Sequence, residues 1–272
     1  MKEKCCGECG HCIHAGNYRV LIESQDTAIS VNGVYVLARD VQSMLGQYSF
    51  NLFVWTHDET FKVSLLGSAT PLFYRGQYLV LCTGHQIRKV APEDISMLTE
   101  DGEFAVTSSG YTALRSGPEG MQHDLQDIVV FDFNDACEEH PALQQRFFRV
   151  GEFPPDCMSD AIVAVLNYGY PSKEQLYELY DQNHIGSRRR STTLKAHGQP
   201  TDETLLHLRP LQKLTFDPDG LSGGPNFVIQ QSGKDFTAYF AGVTVRAGKD
   251  DLYMVKSGCI KGLLDAAIDV RS

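Results

Sequence analysis

Asp219-Gly220-Leu221-Ser222-Gly223-Gly224-Pro225 holds a serine in a turn lined by glycines. A serine hydroxyl is a poor nucleophile until a base takes its proton and donors stabilise the oxyanion that forms. Glycine at 220 can adopt backbone angles closed to other residues, which lets its N–H and that of Ser222 point into one small space. Gly223 and Gly224 leave room for an approaching substrate backbone. The heptapeptide also reads as a glycine-rich hairpin with an exposed serine, because glycine and serine are ordinary turn formers. The rest of the chain decides between the two.

Two stretches upstream supply the missing parts. Tyr78-Leu79-Val80-Leu81-Cys82-Thr83-Gly84-His85 is an apolar strand running into a turn and then a histidine. That imidazole is the candidate general base. Asp127-Ile128-Val129-Val130-Phe131 opens a second apolar strand with a carboxylate that can accept the other ring N–H. Asp124 is a rival for the acid, but the apolar run begins directly after Asp127. The order is His, Asp, Ser, with 42 residues from His85 to Asp127 and 95 from there to Ser222.

In these motifs, TGH, DIVV and GLSGGP, and in their order and spacing, the chain resembles the chymotrypsin-like (trypsin-like) serine proteases. The likeness covers about residues 50 to 255. It implies an all-β protein of two antiparallel six-stranded β-barrels with a cleft between them, His85 and Asp127 coming from the first and Ser222 from the second. It further implies a serine endopeptidase that forms an acyl-enzyme on Ser222, holds the oxyanion on the Gly220 and Ser222 amides, and requires no cofactor. By the same likeness the specificity pocket falls near Phe216 and Asp217 and along Thr244, Val245 and Arg246. Phe216 as its floor would favour small or apolar side chains, Asp217 basic ones, and an inward Arg246 acidic ones. Two departures matter. Leu221 stands where zymogen members carry the aspartate that pairs with a newly cut N-terminus, so the likeness is to non-zymogen bacterial and viral members, active without that cleavage. Gly84 replaces the usual alanine.

Composition bounds the rest. With 272 residues, 42% hydrophobic and 21% charged, the chain reads as an ordinary soluble globular protein. A net charge of −10 argues against nucleic acid as its main partner. No apolar run approaches the roughly 20 residues of a membrane span, and no apolar signal core follows Met1, so the expected location is the cytoplasm. Arg188-Arg189-Arg190 is the one basic cluster, read as a solvated loop or a site for an acidic partner. Cys6, Cys9 and Cys12, with His14, have gaps that let soft ligands converge on a zinc ion, although no second ligand pair exists elsewhere, and a redox-sensitive tail is the competing reading.

The expected organisation is a cysteine-rich tail (1–16), an extension with a helix over Val36–Leu45 (17–48), a first barrel (49–140), a second barrel (141–257) and a C-terminal helix (258–272). Ser172-Lys173-Glu174-Gln175 reads as a helix N-terminus in a second-barrel loop. The expected partner is a peptide or protein substrate. A cytosolic protease also calls for restraint, by a regulatory protein or by a narrow pocket. The rival functions are a catalytically silent or partner-gated peptide-binding module, a protease gated by its cysteine tail, and an esterase.

Overall fold

The computed structural model describes residues 27–60, 62–99, 102, 104–114, 124–151, 154–178 and 184–269. The cysteine-rich segment, and with it Cys6, Cys9, Cys12 and His14, lies outside these residues. The described chain is mostly β-structure in two antiparallel sheets, one per half.

The first sheet runs in the spatial order β7 (Ala105–Thr107), β6 (Ile95–Leu98), β3 (Phe50–Trp55), β4 (Val63–Tyr74), β5 (Gln77–Thr83), β9 (Ile128–Asp132), β8 (Gly110–Ala113). It is a half-barrel of seven strands, where a closed six-stranded barrel was expected; among the described residues no ladder joins β7 to β8. Arg75 and Gly76, at φ 48° and 81°, form the two-residue turn between β4 and β5, whose left-handed backbone matches the strands' twist. β10 (Phe148–Arg149) returns to pair in parallel with β4.

The second sheet closes. β11 (Ile162–Gly169), β14 (Arg190–Gly198), β15 (Leu205–Pro210), β18 (Leu252–Lys256), β17 (Asp235–Ala247) and β16 (Pro225–Ser232) pair in that circular order, β16 returning to β11. All eight residues of β11 are buried, as a barrel-wall strand covered on both faces requires. The hairpin of β1 (Ala28–Val31) and β2 (Val34–Leu37) extends this sheet, β1 lying parallel to β17.

The helices differ in part from the sequence reading. The expected Val36–Leu45 helix is shorter: Val34–Leu37 is strand β2, and α1 covers Val41–Gly46. The expected helix in the second-barrel loop is a single 3₁₀ turn, Ser172–Glu174, followed by β12 (Leu176–Glu178) paired with β13 (His184–Gly186). Gln175 does not cap a helix. Its side chain donates to the Pro171 and Arg188 carbonyls at 2.8 and 3.0 Å and accepts from Asn51 at 3.0 Å, tying the loop to β3. Two short helices, α2 (Gly84–Ile87) and α3 (Asn134–Glu139), flank β5 and β9, and α4 (Ser257–Asp269) closes the chain. Among the described residues no helix is long and apolar enough to cross a membrane.

Three cores hold this together. One lies inside the first sheet around Leu52, Val80, Phe131 and Phe133, and one inside the second barrel around Val165, Leu206, Leu221 and Met254. The third joins the halves: Leu72, Leu81 and Val130 of the first pack with Phe227, Phe240 and Val243 of the second and with Leu264 of α4. The cleft between the sheets is thus fixed by shared apolar packing.

Candidate active site

β5 ends at Thr83, and the chain turns into the single-turn helix α2, which carries His85 out to the cleft. Gln86 fixes this corner: its Oε1 accepts from the Thr83 amide at 2.8 Å and from the Thr83 hydroxyl at 2.7 Å. Asp127 ends a 3₁₀ turn immediately before β9. Its Oδ1 accepts from the His85 amide at 3.0 Å, and its Oδ2 is 2.5 Å from His85 Nδ1. The carboxylate therefore sets both backbone and ring of the histidine, and with the proton on Nδ1 the neutral imidazole leaves its Nε2 lone pair as the base. Gly84 belongs to the same arrangement, because a Cβ there would stand only 3.1 Å from Asp127 Oδ1.

The nucleophile turn is equally determined. Gly220 and Gly223 have φ of +93° and +83°, angles that a side chain makes costly. A Cβ on Gly220 would fall 2.5 Å from the Tyr170 carbonyl, one on Gly223 2.1 Å from that of Ser68, and one on Gly224 2.2 Å from that of Tyr168. The first sheet grips the turn directly. Ser68 donates from its amide (3.1 Å) and hydroxyl (2.5 Å) to the Gly220 carbonyl, and the Thr70 hydroxyl donates to that of Gly223 at 2.7 Å. Gln86 Nε2 then donates to the Ser222 carbonyl at 2.9 Å, so the residue after the candidate base holds the candidate nucleophile. Leu221 is fully buried in the second-barrel core.

The turn's amides divide into two sets. Those of Leu221, Gly223 and Gly224 donate to the carbonyls of Pro218, Thr244 and Leu221. Those of Gly220 and Ser222 find no acceptor among the described residues, and both residues are partly exposed. Two free donors, one two residues before the serine and one its own amide, are what an oxyanion requires.

Not every expected contact is made. The Ser222 hydroxyl donates to the Val245 carbonyl at 3.2 Å and makes no hydrogen bond to the imidazole, while His85 Nε2 lies 3.3 Å from Thr83 Oγ1. The rival acid Asp124 takes a different partner: it receives Arg246 in a two-point pair at 2.9 and 2.7 Å. Arg246, paired there and with its side chain largely exposed, does not stand as an inward pocket cation. Asp217 is paired with Lys173 at 2.7 Å, and Phe216 leans on the second-barrel core with Arg190 over its ring at 5.6 Å. The Thr244 and Val245 side chains are buried, Thr244 accepting from Asn167 and Asn226 at 3.0 and 2.8 Å, so only their backbone faces the site. The sequence reading missed Gln86, Ser68 and Thr70. A polar residue directly after the candidate histidine was the available signal for the first.

No protein-family model matches the chain, and no curated protein matches it; what relates it to the chymotrypsin-like double barrel is the pair of antiparallel sheets with His85 and Asp127 on one and Ser222 on the other.

Proposed function

We propose that the protein is a serine endopeptidase of the chymotrypsin-like kind. The observation that carries this reading is the Asp127–His85 pair held next to a glycine turn in which the amides of Gly220 and of Ser222 itself have no acceptor among the described residues. In the reaction, Ser222 Oγ attacks a peptide carbonyl as His85 Nε2 takes its proton. Asp127 stabilises the imidazolium, and the Gly220 and Ser222 amides hold the tetrahedral oxyanion. The imidazolium then protonates the leaving amine as the C–N bond breaks. Water, deprotonated by the same histidine, releases the acyl group and restores Ser222. Before the first step the serine hydroxyl must leave the Val245 carbonyl for His85.

That resting contact also favours a second reading, a protease-fold module that binds peptides and cuts only when a partner turns the hydroxyl. Fluorophosphonate labelling separates the two. Labelling at Ser222, located by mass spectrometry and abolished in Ser222→Ala and His85→Ala, is expected of the assembled enzyme. Absence of labelling from a folded protein would remove the constitutive protease and leave the gated module. On a cleaved peptide, Ser222→Ala should lower kcat by roughly 10⁴ to 10⁶, and a loss under about tenfold would exclude this nucleophile.

A further inference from the structure

The 3₁₀ turn Asp124–Asp127 begins and ends on a carboxylate. Asp127 is the one that meets His85, at its amide and at Nδ1. Asp124 is taken from the other half of the molecule: its two oxygens receive Arg246 Nε and Nη2 at 2.9 and 2.7 Å. A turn with two carboxylates can offer either one to an imidazole, and a cation fixed on the first leaves the second for it.

Arg246 reaches Asp124 because of an irregularity in β17. Strict alternation would put it on the face of Thr244, which is fully buried. The register with β18 shifts between Thr244 and Arg246, leaving Val245 as an extra residue, and such a bulge re-aims the side chain that follows it. The Arg246 side chain is 62% exposed and that of Asp124 only 13%. An exposed ion pair contributes little as a rule, but here the carboxylate is largely enclosed and the contact is a two-point fork, which fixes direction as well as distance.

The pair also joins the two ends of the candidate site. On the second half, Arg246 directly follows Val245, whose carbonyl receives the Ser222 hydroxyl at 3.2 Å. Thr244, one residue earlier, accepts from the Gly223 amide at 2.8 Å and donates to the Gly224 carbonyl at 2.9 Å. On the first half, Asp124 opens the turn that Asp127 closes. One ion pair thus ties the strand behind the nucleophile to the turn that carries the acid. Gln86 makes the corresponding tie at the corner that carries the base.

We infer that Arg246 is a positioning residue: by holding Asp124 it sets the turn so that Asp127, and not Asp124, faces His85. This rests on the proposed roles of His85 and Ser222, and adds to them the group that aligns their acid.

The test uses the full-length protein and two readouts, of which only the second needs a nucleophile. The first is solvent exchange of the His85 backbone amide, followed by NMR, with the amide of buried Leu81 on β5 as reference. Because Asp127 accepts from the His85 amide, Arg246→Gln and Asp124→Asn should each speed its exchange at least about threefold and leave Leu81 unchanged. The second is the rate of Ser222 labelling by a small fluorophosphonate, which reports alignment without requiring a peptide to enter the cleft. Both variants should slow it about tenfold. Arg246→Lys, which keeps the charge and loses the fork, should fall between them and the wild type in both readouts. His85 exchange equal to wild type in Arg246→Gln and Asp124→Asn would overturn the inference. So would labelling that is unchanged or faster in these variants, the faster rate marking the pair as a strap across the cleft. If the wild-type protein is not labelled at all, the reading of Ser222 as nucleophile fails, while His85 exchange still decides whether Arg246 places Asp127.

Discussion

Single atoms decide this cleft. Asp127 serves His85 twice, at its amide and at Nδ1, and a Cβ on the preceding Gly84 would press on that carboxylate at 3.1 Å. Leu221 illustrates the same economy on the other side. In zymogen members of the resembled family this position is charged and waits for a new N-terminus; here it is a fully buried leucine in the second-barrel core. Leu221→Asp therefore should not create a switch. It removes a packed hydrocarbon and buries a carboxylate with no partner, and a stability loss of at least about 3 kcal/mol is expected from the urea midpoint. A loss below about 1 kcal/mol would mean that the position is wetter than its burial indicates. Gly223→Ala is a sharper case, because strain at positive φ is joined by a contact of 2.1 Å with the Ser68 carbonyl. Its expected effect is loss of fluorophosphonate labelling even in protein that still folds.

At the level of elements, the helix α4 shows how the halves are clamped. Its Asp265 accepts from the Tyr74 hydroxyl at 2.8 Å and from Arg75 at 3.1 Å, both at the β4–β5 turn, and from Lys261 at 3.1 Å. Burial pulls this carboxyl upward, but the hydrogen bonds from Tyr74, Lys261 and Arg75 outweigh it and hold it below the usual carboxylate value. A lowered folded-state value means that the contribution is present above the unfolded value, near 4, and is lost as pH falls through the folded one. Asp265→Asn should thus cost about 1 kcal/mol at neutral pH and less at about pH 3. A deficit in thermal melting that is the same at both pH values would refute the linkage. The strands around the candidate His85 and Asp127 motifs were legible because their apolar runs end at turn residues: β5 and β9 stand where the pattern puts them. The β1–β2 hairpin was not read, although Asn32-Gly33 at φ 52° and 81° is a strong two-residue turn signal. The Ser172 segment misled because a capping-box pattern is local, and Gln175 is spent on long-range bonds to Asn51 and Arg188. The partners of Asp217 and Arg246, Lys173 and Asp124, lie 44 and 122 positions away, beyond any pattern a sequence window contains.

The whole molecule behaves as one unit if the core between the halves is as continuous as its contacts. Each half has its own interior, yet residues of both meet in the shared core with α4, and the Ser68, Thr70 and Gln86 bonds lock the nucleophile turn to the first sheet. If His85 and Ser222 act as the proposed base and nucleophile, one from each half, that rigidity is what their alignment needs, since small misplacements are costly in catalysis. Two buried thiols report on the halves separately. Cys82 is fully buried in the first-sheet core, and Cys157 is 7% exposed in the second-barrel core. Burial, assisted by the nearby Asp156, pushes the Cys157 thiol up to about 12, and burial raises that of Cys82 as well, so neither is reactive at neutral pH until its core opens. Pulsed alkylation across a urea series, read by mass spectrometry at both residues, should give coincident midpoints that also match the fluorescence of Trp55, the single tryptophan, on β3. If Cys82 and Cys157 open at different urea concentrations, the halves fold independently, and the cleft is held by hydrogen bonds to the turn instead of by shared packing.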